Sequence, residues 1–256
     1  MHRQISAGIP YYTFEHMANA GLRHAIFTRK GGVSPAPFDS LNHSISTGDT
    51  LANVQRNREL ALAALGITPD RLATVWQVHG INVLALQAPC DVNAQADALI
   101  TQTPGLALTL RFADCTPILL YDPRQRAIGM AHAGWRGTVE GMVQAAVKAM
   151  QTQYNTNPAD LLAGIGPSIS ASVYAVGLDV QHAVTRAFPN ADNLLQRRDG
   201  QVYFDLWEAN ASALRACGVQ NIEVAGICTY QNATEFFSHR ASGPHTGRFA
   251  AVAILD

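Results

Sequence analysis

Cys115 and His132 are the residues of this chain best placed to do chemistry, and the segment between them explains why. It runs Ala113-Asp114-Cys115-Thr116-Pro117, continues through an apolar stretch to Asp122-Pro123-Arg124-Gln125, and returns to His132-Ala133-Gly134-Trp135-Arg136-Gly137-Thr138. Asp followed by Pro is turn chemistry. If Tyr121 pairs with Arg126 across that turn, Thr116 faces Ala131 and Cys115 faces His132. Facing residues of an antiparallel ladder hold their Cβ atoms about 4.5–5.5 Å apart. A slip of one residue would send the two side chains to opposite faces. A thiol beside an imidazole suits two ligands of one metal or a nucleophile and its base. The plainer alternatives are a small core thiol and a hydrogen-bonded histidine. Asp114, next to the thiol, could orient a histidine, accept a proton or satisfy a turn. The catalytic candidates are therefore Cys115, His132 and Asp114.

Other residues offer anion chemistry. Arg136-Gly137-Thr138 opens a helix, where free N–H groups beside a cation attract anions. Arg29-Lys30-Gly31-Gly32 could form a second nest of N–H groups. Arg240, in Phe237-Ser238-His239-Arg240, adds a third cation. Phosphate-binding loops, dinucleotide fingerprints, nucleophile elbows, His-Glu-x-x-His and the zinc-deaminase pattern are all missing.

The elements that must position these residues alternate between strand-like and helical runs. Strands are expected at 22–28, 105–112, 116–121, 126–131, 161–165, 222–227 and 249–255. Segments 72–78 and 81–86 read as a hairpin around His79-Gly80, which would require a positive φ at His79. Helices are expected at 53–65, ending at Gly66, and at 137–151, 178–188 and 206–217. Hairpins mixed with helices predict an α/β chain with mixed sheets and one domain over 1–256. Ile118, Leu119 and Leu120 show little alternation, so that strand should be covered on both faces.

The bulk properties narrow the function. The chain has 256 residues, 48% hydrophobic and 14% charged, which predicts a large core. A formal net charge of −1 leaves no basic excess for nucleic acid. The N-terminus lacks a signal-peptide pattern and no apolar run reaches membrane-spanning length. Four scattered cysteines without a Cys-x-x-Cys pair fit reduced thiols in a cytoplasm.

At Gln77-Val78-His79-Gly80, Ala113-Asp114-Cys115 and His132-Ala133-Gly134-Trp135-Arg136-Gly137-Thr138 the chain resembles the laccase-domain or polyphenol-oxidase-like family. The likeness extends to Gly31-Gly32-Val33-Ser34, Ser40-Leu41-Asn42, Gly48-Asp49, Asn57-Arg58, Ala96-Asp97-Ala98, Gly166-Pro167 and Gly247-Arg248. The resemblance implies a layered α/β/β/α fold, similar to the catalytic domains of Cys–His toxins. It implies a zinc site at His79, Cys115 and His132, with copper the less favoured metal. It further implies purine nucleoside phosphorylase and adenosine deaminase activity, with a purine nucleoside and phosphate as partners. Substrate or phosphate contacts would fall to Arg29, Asn42, Arg136 and Arg240. Ser168 and His43 depart from the family pattern, which often has Cys and Leu there. Three protein ligands would leave a fourth position open for water. The rival readings are an amidase editing a peptidoglycan precursor, a copper-dependent polyphenol oxidase, and a structural zinc site closed by Cys90 or His43. The oxidase ranks low because no His-x-His pair occurs.

Overall fold

The computed structural model describes residues 1–91 and 93–256. Two six-stranded sheets face each other. The first has the order His2–Ser6, Ile9–Thr13, Arg23–Phe27, Phe249–Ile254, Ala107–Phe112, Leu72–Ala73. It is antiparallel except where Leu72–Ala73 runs parallel to Ala107–Phe112. The second has the order Asn221–Val224, Leu162–Ile165, Thr116–Asp122, Ala127–Ala133, Ala98–Thr101, Val83–Ala85. Its two outermost pairings are parallel and the inner three antiparallel.

The alternation of side chains sorts the core into layers. Leu119, Tyr121, Ile128 and Met130 of the second sheet meet Leu108, Leu110, Phe112 and Ala251 of the first. On the outer face of the second sheet, Ile118, Leu120 and Ala131 pack on helices Met142–Tyr154 and Leu206–Ala216. On the outer face of the first, Ala25, Phe27 and Val252 pack on helix Leu51–Ala64. The order is therefore helix, sheet, sheet, helix, in one α/β unit with mixed sheets. Strand Thr116–Asp122 is buried throughout, as its unalternating apolar run requires. Each large side chain buried this way contributes about 1.5–3 kcal/mol over exposure. Among the described residues no helix is long and apolar enough to cross a membrane.

Three expectations need correction. The pairing of 72–78 with 81–86 does not form: Leu72–Ala73 and Val83–Ala85 belong to different sheets, and the segment between them crosses from one to the other. His79 nevertheless takes the left-handed conformation, at φ 62°. The helix over 137–151 is two helices, Trp135–Glu140 and Met142–Tyr154, broken at Gly141 with φ 95°. The central hairpin pairs Asp122 with Ala127 and Pro117 with His132, two residues away from the expected register. The Asp122 carboxylate accepts N–H bonds from Arg124 and Gln125, and Arg126 turns left-handed at φ 49°. That places the four turn residues at 123–126. A shift of two preserves the face of every side chain.

Candidate metal centre

The three family positions converge where the chain passes between the sheets. Cys115 follows a bend at Asp114, φ 76°, that joins strand Ala107–Phe112 of one sheet to Thr116–Asp122 of the other. His79 lies on the other crossing segment. His132 is near the end of its strand, two positions diagonal from Cys115 on the same face. One potential ligand atom from each of His79, Cys115 and His132 falls within 4.8 Å of the others. The two imidazoles meet edge to face, with centroids 4.8 Å apart. His132 is buried, Cys115 partly buried and His79 exposed, so the trio opens on the His79 side. Gly134 borders it. A Cβ there would lie 2.8 Å from Cys115 Sγ and 3.4 Å from His79 Cδ2.

Asp97 organises this end, and the sequence assigned it no role. It sits opposite His132 on the neighbouring strand, where the His132 N–H donates to its carbonyl at 2.7 Å. Its fully buried carboxylate contacts His132 Nδ1 at 2.8 Å and accepts the backbone N–H groups of Val78, His79 and Gly80 at 3.1, 3.0 and 2.8 Å. One side chain thus orients one imidazole and clamps the loop that carries the other. With Nδ1 engaged, Nε2 of His132 is left for a metal. Burial opposes the charge on Asp97, but the hydrogen bond and charge of His132 and the loop N–H groups outweigh it and hold the carboxyl below its usual range. Burial likewise opposes ionisation of Cys115 and His132. Their mutual attraction, with Asp97 behind His132, pulls the thiol down and the imidazole up. These shifts favour the ligand-competent thiolate, and a bound cation would take over the role of the proton on His132.

Asp114 does not touch His132. Its carboxylate accepts the Thr229 hydroxyl and the Arg240 backbone N–H, both at 2.6 Å. It pins the late segment of the chain to the bend before Cys115.

A cavity of about 540 Å³ lies over the trio. Trp76, Trp135, Tyr174, Ile45, Ile169 and Leu206 give it aromatic and apolar walls. Arg136 and Arg240 line it, as do Arg111, which the sequence had not singled out, and Arg248, which entered only through the family likeness and without a role. Arg136 stacks on Trp135 at 4.3 Å, and Arg240 lies 5.1 Å over the Tyr174 ring. Two expected contact residues lie elsewhere. Arg29 is spent on the carbonyls of Asp39 and Ala233 and on the Asp39 carboxylate, while Lys30 pairs with Glu235. The 29–32 nest is therefore a structural turn. Asn42 is fully buried and bonds Ser44, Asp49 and the Arg248 N–H. It shapes the loop bearing Ser44 and Ser46, which do reach the cavity.

The two departures from the family pattern are accommodated. Ser168 accepts from the Trp207 indole and the Thr116 hydroxyl. His43 is buried beside Phe27. Neither His43 nor Cys90 completes the metal trio; the Cys90 thiol donates to the Thr74 carbonyl at 3.2 Å.

Residues 23–256 match the family model described as multi-copper polyphenol oxidoreductase laccase. The chain belongs to that family. A protein of Deinococcus radiodurans named purine nucleoside phosphorylase is 40% identical over 234 residues, covering 91% of this chain and 89% of its own. One of the same name from Bacteroides thetaiotaomicron is 36% identical over 249 residues, covering 92% of both chains. The crystal structure of YlmD from Geobacillus stearothermophilus superposes with a TM-score of 0.90 at 32% identity, covering 98% of this chain and 97% of that one.

These findings correct the metal and the reaction expected from sequence. The family model is that of a copper oxidoreductase, and one thiolate with two imidazoles is the donor set of mononuclear copper sites. Copper therefore displaces zinc as the favoured ion. Oxidase-type chemistry likewise displaces zinc-dependent phosphorolysis, deamination and hydrolysis.

Proposed function

We propose that this chain is a copper oxidoreductase acting on small phenolic compounds at one mononuclear centre. The observation that carries the reading is the convergence of His79, Cys115 and His132 beneath an aromatic cavity, in a chain matched almost throughout by a copper-oxidoreductase family model. The donor set fits the ion: a thiolate favoured by its neighbours, two imidazoles, and a carboxylate orienting one of them. Bound copper would supply a one-electron acceptor for the phenol, with dioxygen as the terminal oxidant.

The residues divide the remaining work. His79, Cys115 and His132 hold the ion, and the exposed side of His79 leaves an approach for substrate. Trp76 and Trp135 offer flat apolar surfaces to a ring. Oxidation of a phenol releases its proton, and His239 on the cavity wall is suited to accept it. Partial desolvation lowers that imidazole's pKa, with the Arg248 charge helping, which favours its neutral, proton-accepting form. The scarcity of cysteine pairing fits a cytoplasmic setting. The facing of two sheets between helix layers is the feature on which a likeness to Cys–His toxin domains would rest.

The test is dioxygen uptake by copper-loaded protein supplied with simple phenols, run beside zinc-loaded and chelated protein. Uptake should require copper and disappear with the chelator. Phosphate-dependent release of base from inosine by zinc-loaded protein, with no dioxygen uptake in any form, would refute the proposal.

A further inference from the structure

Beside the metal centre, the cavity wall carries more cations than the nearby anions Asp114 and Cys115 offset. Arg111 and Arg248 both line the cavity, and Arg58 stands behind them close enough to repel Arg111. Among the ion pairs of the described residues, none involves Arg58, Arg111, Arg136, Arg240 or Arg248. The one carboxylate on the wall, Asp114, is already engaged by Thr229 and the Arg240 N–H.

The guanidiniums are held in place by neutral groups. Arg111 donates from Nε to Gln77 Oε1 at 3.2 Å and from a terminal nitrogen to the Val75 carbonyl. Arg248 donates from one terminal nitrogen to the carbonyls of Thr246 and Gly247 at 2.8 and 3.0 Å. Each therefore keeps further N–H groups free. Ser44 and Ser46 bring hydroxyls to the same cavity, paired at 2.8 Å. Behind them, buried His43 has an Nε2 with no partner, and Arg58 and Arg111 both disfavour its protonation. Half-buried like charges in excess of their counter-ions raise the free energy of a fold, and an anion docked among them relieves it. Guanidinium forks suit the two oxygens of a carboxylate or phosphate.

We infer that Arg111 and Arg248 form an oxyanion seat in the cavity, and that the substrate is an aromatic compound carrying a carboxylate or phosphate group. Its link to a phenol rests on the oxidase reading; the seat itself does not. Both lie on one cavity with the metal trio, so an acid group at the arginines leaves the ring free to extend over the trio.

Calorimetric titration of the full chain with benzoate and with inorganic phosphate tests this. It is run on copper-loaded and on metal-free protein, which separates the seat from coordination at the metal. One equivalent of benzoate, displaced by phosphate in both forms, is expected. Arg248→Met should weaken binding by about tenfold or more, as loss of a charged hydrogen bond does, and Arg248→Lys should restore part of it. Phosphate binding without benzoate would assign the seat to the free inorganic ion and overturn the substrate-borne acid. Benzoate affinity equal in wild type, Arg248→Met and Arg111→Met would overturn the seat. Oxidation of uncharged p-cresol is followed separately: its absence sinks the oxidase reading, and the binding result still decides the seat.

Discussion

Asp97 and Asp114 do similar jobs for one site, and the contrast shows how that site is divided. Both are buried, and both use a carboxylate to fasten a loop by backbone N–H groups. Asp97 also reaches His132 and therefore holds the metal side. Asp114 reaches Thr229 and the Arg240 segment and therefore holds the substrate side. Its place beside Cys115 in sequence says nothing of this. Its carboxylate is taken up by the Thr229 hydroxyl and the Arg240 N–H instead of by the trio.

Removing the Asp97 charge should break the comparison most sharply. Asp97→Asn keeps the size but gives up the imidazole's ionic partner and at least one N–H acceptor. Copper affinity should fall about 10–100-fold, the usual weight of a carboxylate behind a ligating histidine. Competition titration against a chelator of known affinity measures it, and an unchanged constant would strip Asp97 of its positioning role. Gly134→Ala should come next. The backbone at Gly134, φ −73° and ψ 175°, suits alanine, so any loss reports the contact with Cys115 and His79 alone. Copper affinity should fall about tenfold while thermal stability stays within a few degrees of wild type.

Asp114→Asn should leave the metal side alone. Copper affinity should stay within about threefold of wild type, while KM for a phenolic acid rises as the Arg240 wall loosens. Parallel loss of copper from Asp97→Asn and Asp114→Asn would erase the distinction between the two carboxylates.

The smallest effect separates both carboxylates from histidines buried outside the metal trio. Burial pushes His24 down to about 4, and burial with the charges of Arg58 and Arg111 pushes His43 down to about 3. His24 is held neutral by geometry as well: Nε2 accepts the Phe14 N–H, and Nδ1 faces the Leu22 carbonyl. Above pH 6.5 neither the folded nor the unfolded chain protonates these rings. Below it the unfolded chain binds protons that the folded chain refuses, so stability declines as pH falls from about 6.5 towards 4. The slope is roughly 1.4 kcal/mol per pH unit for each histidine. His43→Leu should flatten the decline between pH 6.5 and 5 in urea unfolding, and identical slopes would contradict this.

Much of the architecture was legible because it is local. Period and turn residues located the strands around Thr116–Asp122 and Ala127–Ala133, and Gly66 closed the first long helix. Cys115 and His132 were brought together by hairpin arithmetic that was two residues out of register yet right in face. The unread features depend on long-range pairing. Asp97 faces His132 only because Ala98–Thr101 docks beside Ala127–Ala133, and the short strand carries no mark of that partner. His79 was mistaken for a hairpin tip because apolar runs flank it, although they belong to separate sheets. Arg111 escaped notice inside an apolar strand, and Arg29 drew attention through a Gly-Gly turn that is structural. The metal and the reaction were misassigned for a different reason: a resemblance supplied them, and the donor set with the family model pointed to copper oxidation instead.

The central claim is that His79, Cys115 and His132 make one copper centre. The most direct measurement is a titration of metal-free protein with Cu²⁺, followed by visible absorption and electron paramagnetic resonance. The account predicts saturation at one equivalent, with a thiolate-to-copper charge-transfer band that is lost in Cys115→Ser and shifted in His79→Ala. A copper signal without thiolate character, unchanged in Cys115→Ser, would contradict it.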